Sequence, residues 1–342
     1  MNISKVLFSL LLLAIGLVGC SPTPTAQSPQ PVSLKVGFST SVFSAIFQIA
    51  TDQGYFAEQN LQVELVPVKN TAEAVPLLIA GQIDSYSVSF NSALFNAISQ
   101  DSKLKILFPT RRLVKEQQDC VTNGILGIPE QVGSAGFSPQ SLQGKTLGTF
   151  NPLEGSVYGY ILETKFLRPA GLSLEDINTQ NIENSIAGDA LKTGQIDFFM
   201  AGQPTIAKIL QTTDAEILLS LADYAEDMEV GVFVVGAKIS DNPDVLNRLT
   251  LSMLKAIRTY SEGKTPANIA SAVTLTGLGE EDIQATCWSA VDPNITLNTS
   301  AIMDYQYWLK EKGLLDDILP IESFYDPTYA QNALQVLGTV QP

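Results

Sequence analysis

The 342-residue chain contains no histidine. That absence removes Ser-His-Asp and Cys-His nucleophilic machinery and every His-ligated metal centre. Cysteine is scarce too, limited to Cys20, Cys120 and Cys287. Two thiols beyond the leader, without an imidazole, are too few for a zinc site. Basic side chains number 20 against 35 acidic ones, a net charge of −15, and they form no basic stripe. Nucleic acid is therefore excluded as a partner, while the acidity bears on solubility more than on any ligand. Nucleotide motifs are also missing. Gly144-Lys145-Thr146 and Gly263-Lys264-Thr265 end like a P-loop, but the glycine needed five residues upstream is Pro139 or Arg258. Gly155-Ser156 lacks the spacing of a nucleophile elbow. Glu280, Glu281 and Asp282 read as an acidic first helical turn, favourable to the helix dipole, and not as a metal site. No cofactor is expected.

Residues 1–20 read as a processing segment. Lys5 is followed by an apolar run over 6–18, broken only by Ser9 and Gly16 and too short to span a bilayer. The run ends Leu17-Val18-Gly19-Cys20, which resembles a bacterial lipobox. That resemblance implies cleavage before Cys20 and a lipid on its thiol, anchoring a soluble domain to the membrane surface; the alternative is an ordinary signal peptide with an incidental cysteine. A tether, 21–33, follows with four prolines and no charge, a composition that stays extended and solvated. In an exported protein Cys120 and Cys287 can pair, or they can remain separate buried thiols.

Two stretches then read almost alike: LLIAGQIDSYSVSFNSAL at 77–94 and ALKTGQIDFFMAGQPTIA at 190–207. Gly37, in LKVGFST, stands 44 residues before the first GQID, and Gly148, in KTLGTFN, stands 46 before the second. Each glycine ends a short apolar run and opens a polar loop. The chain is thus two versions of one α/β unit, with a cleft between two lobes.

In the first unit the pattern predicts strands over 34–38, 61–68, 83–89 and 104–108. Helices are expected over 44–52, 71–80 (capped by Thr71 and kinked at Pro76) and 91–98. Between 109 and 127 the pattern lapses and charges gather, from Arg111 and Arg112 to Asp119; the chain is expected to cross to the second lobe there. The second unit repeats the alternation, with strands over 146–150, 177–182, 196–200 and 216–221. Its helices fall over 156–167, 185–192 and 205–210. A return near 222–229 leads into a strand over 230–235. A helical tail follows, opened by first-turn prolines at Pro243 and Pro266 and expected to pack on the first lobe. Strand–helix alternation with short links implies two mostly parallel sheets flanked by helices. The expected division is a leader over 1–20, a tether over 21–33, lobe one over 34–115 with 228–342, and lobe two over 116–227.

Open α/β sheets bind ligands at their strand ends and at helix N-termini, where free N–H groups face an anion. Two loops occupy that position: Ser39, Thr40 and Ser41 in the first lobe, and Asn151, Gly155 and Ser156 in the second. Asn91, Ser92 and Gln203 follow the two GQID strands and can donate and accept, although Asn91 is equally placed to cap a helix. Phe43 and Tyr158 can stack on a ligand or simply fill a core. Two such loops facing each other would hold a small anion without any arginine. Asp84 and Asp197 lie at the opposite ends of their strands and read as structural, holding the preceding turn.

With these residues in hand, the chain resembles the substrate-binding proteins of ABC importers in the sulfonate, taurine and thiamine-precursor group. The marks are KVGFSTSVFSAIFQIATDQGYFAEQNLQVELVP, LIAGQIDSYSVSFNSALFNA, LQGKTLGTFNPLEGSVYGYILETKFLRPAGL, LKTGQIDFFMAGQPTIAKIL and YWLKEKGLLDD, in family order over most of 34–320. The resemblance implies a two-lobed, type II periplasmic-binding fold that closes on a small polar solute about a two-strand hinge. It also implies a monomer at the cell envelope that works with a membrane permease and an ATPase and catalyses no reaction. Many relatives have Glu-Pro where this chain has Gln203-Pro204, so a carboxylate that would pair with a cation is missing. That favours an anion or neutral polar solute. The segment 115–138 departs from the family's crossing strand, and CWSAVDP at 287–293 matches no family mark. Two other roles are compatible with the resemblance. One is a ligand-sensing lipoprotein. The other is an enzyme like the fungal thiamine-pyrimidine synthases, which consume a histidine this chain lacks.

Overall fold

The computed structural model describes residues 31–100, 102–115, 120–132 and 136–340. The leader, Cys20 and the tether as far as residue 30 lie outside the described residues. Ten strands form two five-stranded sheets. The first sheet contains β1 (Val32–Phe38), β2 (Leu61–Pro67), β3 (Ser85–Ser89), β4 (Lys105–Arg112) and β10 (Glu229–Val235). The second contains β5 (Asn123–Gly127), β6 (Thr146–Thr149), β7 (Asn178–Asn181), β8 (Phe198–Gly202) and β9 (Glu216–Ser220). Strand orders are β2-β1-β3-β10-β4 and β7-β6-β8-β5-β9. In each, one strand runs antiparallel to both neighbours, β10 in the first sheet and β5 in the second. β5 is the first strand formed when the chain crosses into the second sheet, and β10 is the strand on which it returns to the first. The two lobes therefore share one topology as well as one sequence pattern.

The GQID repeat has a structural reason. Its glycines take left-handed φ values of 65° at Gly81 and 70° at Gly194, which end the preceding helices at little steric cost. Asp84 accepts a hydrogen bond from the Lys35 N–H (2.7 Å) and returns its own N–H to the Lys35 carbonyl (2.7 Å). Asp197 does the same with Thr146, at 2.8 and 3.0 Å. Each carboxylate thus clamps the neighbouring first strand, which corrects the expectation that it holds the preceding turn. Gly37 and Gly148 complete the pattern. A Cβ on Gly37 would lie 2.9 Å from both Ile83 and Tyr86, and one on Gly148 would lie 2.7 Å from Ile196 and 2.9 Å from Phe199. The isoleucine of each GQID therefore packs directly over its paired glycine.

Asp84 is buried and also pairs with Lys238 at 3.0 Å. Asp84→Ala is expected to cost about 2–3 kcal/mol, because the Lys35 N–H loses its acceptor inside the protein. Urea denaturation measures this, and a loss below about 1 kcal/mol would show that the clamp is incidental.

Several boundaries differ from the sequence expectation. Val32 and Ser33, placed in the tether, already pair with Leu61 and Gln62. Asn70, not Thr71, caps the helix Thr71–Ile79: its side chain accepts from the Glu73 N–H, and Glu73 accepts from the Lys69 N–H. β4 runs through Pro109 to Arg112, where a lapse was expected. Pro109 is tolerated because β4 is the edge strand of its sheet, paired along its length with β10 alone and touched on its other side only by isolated bridges at Ile106 and Arg112. β5, inside the expected crossing, is a short Asn-Gly-Ile-Leu-Gly run too brief to show alternation.

The tail also departs from expectation. The helices Pro243–Ser261 and Pro266–Thr276 do pack on the helix Ala45–Asp52 of the first lobe. The helix Thr299–Glu311 instead bridges both lobes. Tyr305 lies among Phe90, Phe95, Tyr160 and Trp308, with ring centroids 5.6–6.2 Å apart. One contiguous apolar core consequently runs from Val88 and Phe90 through Tyr305 to Tyr160 and Phe198.

Candidate functional site

A cleft of about 890 Å³ opens between the two sheets, at the C-terminal ends of β1, β3, β6 and β8. Ser39, Thr40 and Ser41 line it from the first lobe, and Asn151, Ser156 and Gln203 from the second. Tyr158 also borders it. Phe43 is buried beneath it and walls a small recess in its floor.

Asn91, Ser92 and Gly155 do not line the cleft. They form the junction between the lobes, where the Ser92 N–H donates to the Gly155 carbonyl (2.8 Å) and the Val157 N–H to the Phe90 carbonyl (3.0 Å). The Tyr305 hydroxyl donates to the same Gly155 carbonyl at 2.5 Å. Asn91 caps its helix by accepting from the Leu94 N–H (2.8 Å), and the Ser156 hydroxyl accepts from the Gly159 N–H (3.0 Å). At the second-lobe loop, N–H groups expected to face an anion are thus used instead: that of Ser156 by the Leu153 carbonyl, that of Val157 by the Phe90 carbonyl and that of Gly159 by the Ser156 hydroxyl. The pattern correctly located helix starts, but no spacing rule says that they meet each other across the hinge.

Arg111 is the group missed by sequence reasoning. It sits near the end of β4, where that strand pairs with β10, and reaches the cleft floor. One Nη donates to the Ser89 hydroxyl at 2.6 Å, and the guanidinium lies 5.8 Å from the Phe43 ring centroid. Its Nε is buried and has no hydrogen-bond partner among the described residues. Sequence reasoning overlooked it because Pro109 disguised β4 as a loop. Recognising an edge strand that tolerates proline would have brought it forward.

Most other polar groups of the cleft are neutral. Burial pushes the Tyr86 phenol above its ordinary value, against the opposing pull of its hydrogen bond to Ser39 and of Arg111. It therefore stays a neutral donor. Gln203 is held by the backbone: its amide donates to the Val121 carbonyl (2.8 Å) and its oxygen accepts from the Ala207 N–H (3.3 Å). At the mouth, Lys69 meets Glu183 of the opposite lobe at 3.0 Å. Both are well exposed, so this contact contributes at most about 1 kcal/mol to holding the lobes together. Among the described residues no group of three His, Cys, Asp or Glu side chains could hold a metal ion, and no helix is long and apolar enough to cross a membrane.

Two like-built α/β lobes, crossed twice by the chain and enclosing a polar cleft, define a type II periplasmic-binding fold. The NMT1/THI5-like family model matches residues 43–263, and the chain belongs to that family. No curated protein matches in sequence. Among solved structures, the zinc-bound ligand-binding component of an ABC-type import system from Staphylococcus aureus is 15% identical, with a TM-score of 0.68 over 88% of this chain and 99% of that one. The periplasmic aliphatic sulphonate-binding protein SsuA of Escherichia coli is 16% identical, with a TM-score of 0.64 over 86% and 92%. The periplasmic nitrate-binding protein NrtA of Synechocystis PCC 6803 is 14% identical, with a TM-score of 0.69 over 91% and 90%. Each of the three is named as a binding protein or binding component. At such identities they show the shared fold.

Proposed function

We propose that this chain is the solute-binding component of an ABC importer. It captures a small polar anion between lobe one (34–115 with 228–342) and lobe two (116–227) and delivers it to a permease driven by an ATPase. It acts as a monomer, held at the outer face of a membrane by a lipid on Cys20, and catalyses no reaction. The observation that carries the anion is Arg111. A guanidinium with a buried, unpartnered Nε stands at the floor of a cleft whose other contributions are mainly hydroxyls and amides. An oxyanion such as a sulfonate would accept from that fork and from neighbouring hydroxyls. Closure of the lobes would desolvate it and present an arrangement that a permease can read.

A thermal-shift screen over taurine, methanesulfonate, longer alkanesulfonates, nitrate, bicarbonate and thiamine pyrimidines tests this reading. A true ligand at a hundredfold excess over its Kd adds about 2.7 kcal/mol of stability, which shifts the unfolding midpoint by several degrees. Stabilisation by one or more of the anions is expected. Stabilisation by a pyrimidine with none by any anion would overturn the reading.

A further inference from the structure

The segment CWSAVDP at 287–293, unlike anything in the family pattern, lies against the cleft floor. Cys287 and Ser289 line a recess of about 50 Å³ together with Arg111, Thr122, Asn123 and Gln203. That volume is the scale of one small group, not of a whole solute. The recess has two walls from different parts of the chain. Residues 287–289 and Arg111 belong to the first sheet and its tail, while Thr122 and Asn123 open the second sheet. A disulfide between Cys120 and Cys287, with Cα atoms 5.4 Å apart, ties one wall to the other.

Two further contacts hold the same segment. Trp288 turns away from the recess and stacks on Tyr260, at 4.9 Å between ring centroids. Tyr260 meets Phe43 edge-on at 6.0 Å, and Phe43 lies under Arg111. The Ala290 carbonyl accepts from the Arg112 N–H at 3.2 Å, one residue from the guanidinium that faces the recess.

We infer that residues 287–289 form the inner wall of the solute site, with Ser289 meeting the anionic group and the Cys120–Cys287 bridge positioning that wall. This rests on the anion reading above and adds a covalent element to it. The bridge joins the lobes close to where the chain crosses between them, so the recess stays assembled when the outer cleft opens. The anionic group then enters a preformed pocket, and less ordering accompanies binding. Without the bridge the two walls part with the lobes, and the site must be rebuilt at each encounter.

The test uses the full soluble domain with methanesulfonate and taurine as probes, by calorimetric titration at a temperature where circular dichroism shows every form folded. Reduction by a dithiol, or the double substitution Cys120→Ser with Cys287→Ser, is expected to raise Kd at least tenfold. Ser289→Ala is expected to raise it several-fold in the bridged protein and to add little in the reduced one. If the bridge only stabilised the fold, its loss would lower the unfolding midpoint and leave Kd unchanged; that outcome overturns the inference while leaving the anion reading intact. Failure of every anion of the thermal-shift screen to bind the bridged wild type would overturn the anion reading and this inference with it.

Discussion

Arg111→Gln is expected to raise the Kd for a bound sulfonate roughly a hundredfold, with little change in the unfolding midpoint of the free protein. The estimate follows from what the side chain does. A charge-assisted fork to an oxyanion in a water-excluded cleft is removed, and truncating one member of such a pair costs about 2–5 kcal/mol; about 2.8 kcal/mol corresponds to a hundredfold. The free fold depends less on the Arg111 side chain, which among the described residues makes one hydrogen bond, to Ser89 (2.6 Å), and one ring contact, with Phe43. Arg111→Lys keeps the charge but loses the planar fork and should fall between wild type and Arg111→Gln. Gly231 supplies an independent check. A Cβ there would lie 2.9 Å from the Arg111 Nε, so Gly231→Ala displaces the guanidinium without removing it and should weaken binding by a smaller factor. Calorimetric titration measures all three. An unchanged Kd in Arg111→Gln would remove the anion site from this floor.

Glu163→Ala is expected to destabilise the protein by about 3–5 kcal/mol, the range for removing one member of a buried ion pair. Glu163 is 1% exposed and meets Lys312 and Arg168, each at 2.9 Å. It lies in Leu162–Leu167, the π-helical continuation of the helix Val157–Ile161 in the second lobe. Lys312 follows the bridging helix Thr299–Glu311, and Arg168 also holds Glu311 of that helix at 2.7 Å. The cluster thus fastens the bridging helix to the second lobe, next to the Tyr305 aromatic group. Burial alone would push the Glu163 carboxyl up, but hydrogen bonds and charge from Lys312 and Arg168 outweigh it and hold the group below the ordinary carboxylate range. A depressed folded-state pKa contributes stability that is present above the unfolded-state value and lost as pH falls through the folded one. The stability gap between wild type and Glu163→Gln should therefore be widest near neutrality and narrow in acid. Urea denaturation across pH 3–7, roughly the carboxylate titration range, measures it. A gap independent of pH would show that the carboxylate charge plays no part.

The sequence by itself determined the parts of this protein that depend on local periodicity. Alternating strand and helix, the paired GQID segments and their partner glycines specified two lobes of one design, because each lobe repeats the same short-range packing problem. In the structure Ile83 lies over Gly37 and Ile196 over Gly148. The sequence marked Asp84 and Asp197 as structural but placed them on the preceding turn, and only the structure shows them clamping the neighbouring strands. The hydroxyl loop at Ser39–Ser41 and the polar positions Asn151, Ser156 and Gln203 were also legible, since they follow strand ends where such sheets open.

What only the tertiary structure decided involves partners far apart in the chain. Arg111 acquires its place from pairing between β4 and β10, across more than a hundred residues. Asn91, Ser92 and Gly155 leave the cleft because two helix starts meet across the hinge and use each other's backbone groups. Residues 287–289 reach the recess through a disulfide spanning 167 positions. Spacing along the sequence carries no record of such contacts: their geometry is fixed only when the two cores close and the helix Thr299–Glu311 is laid across both lobes.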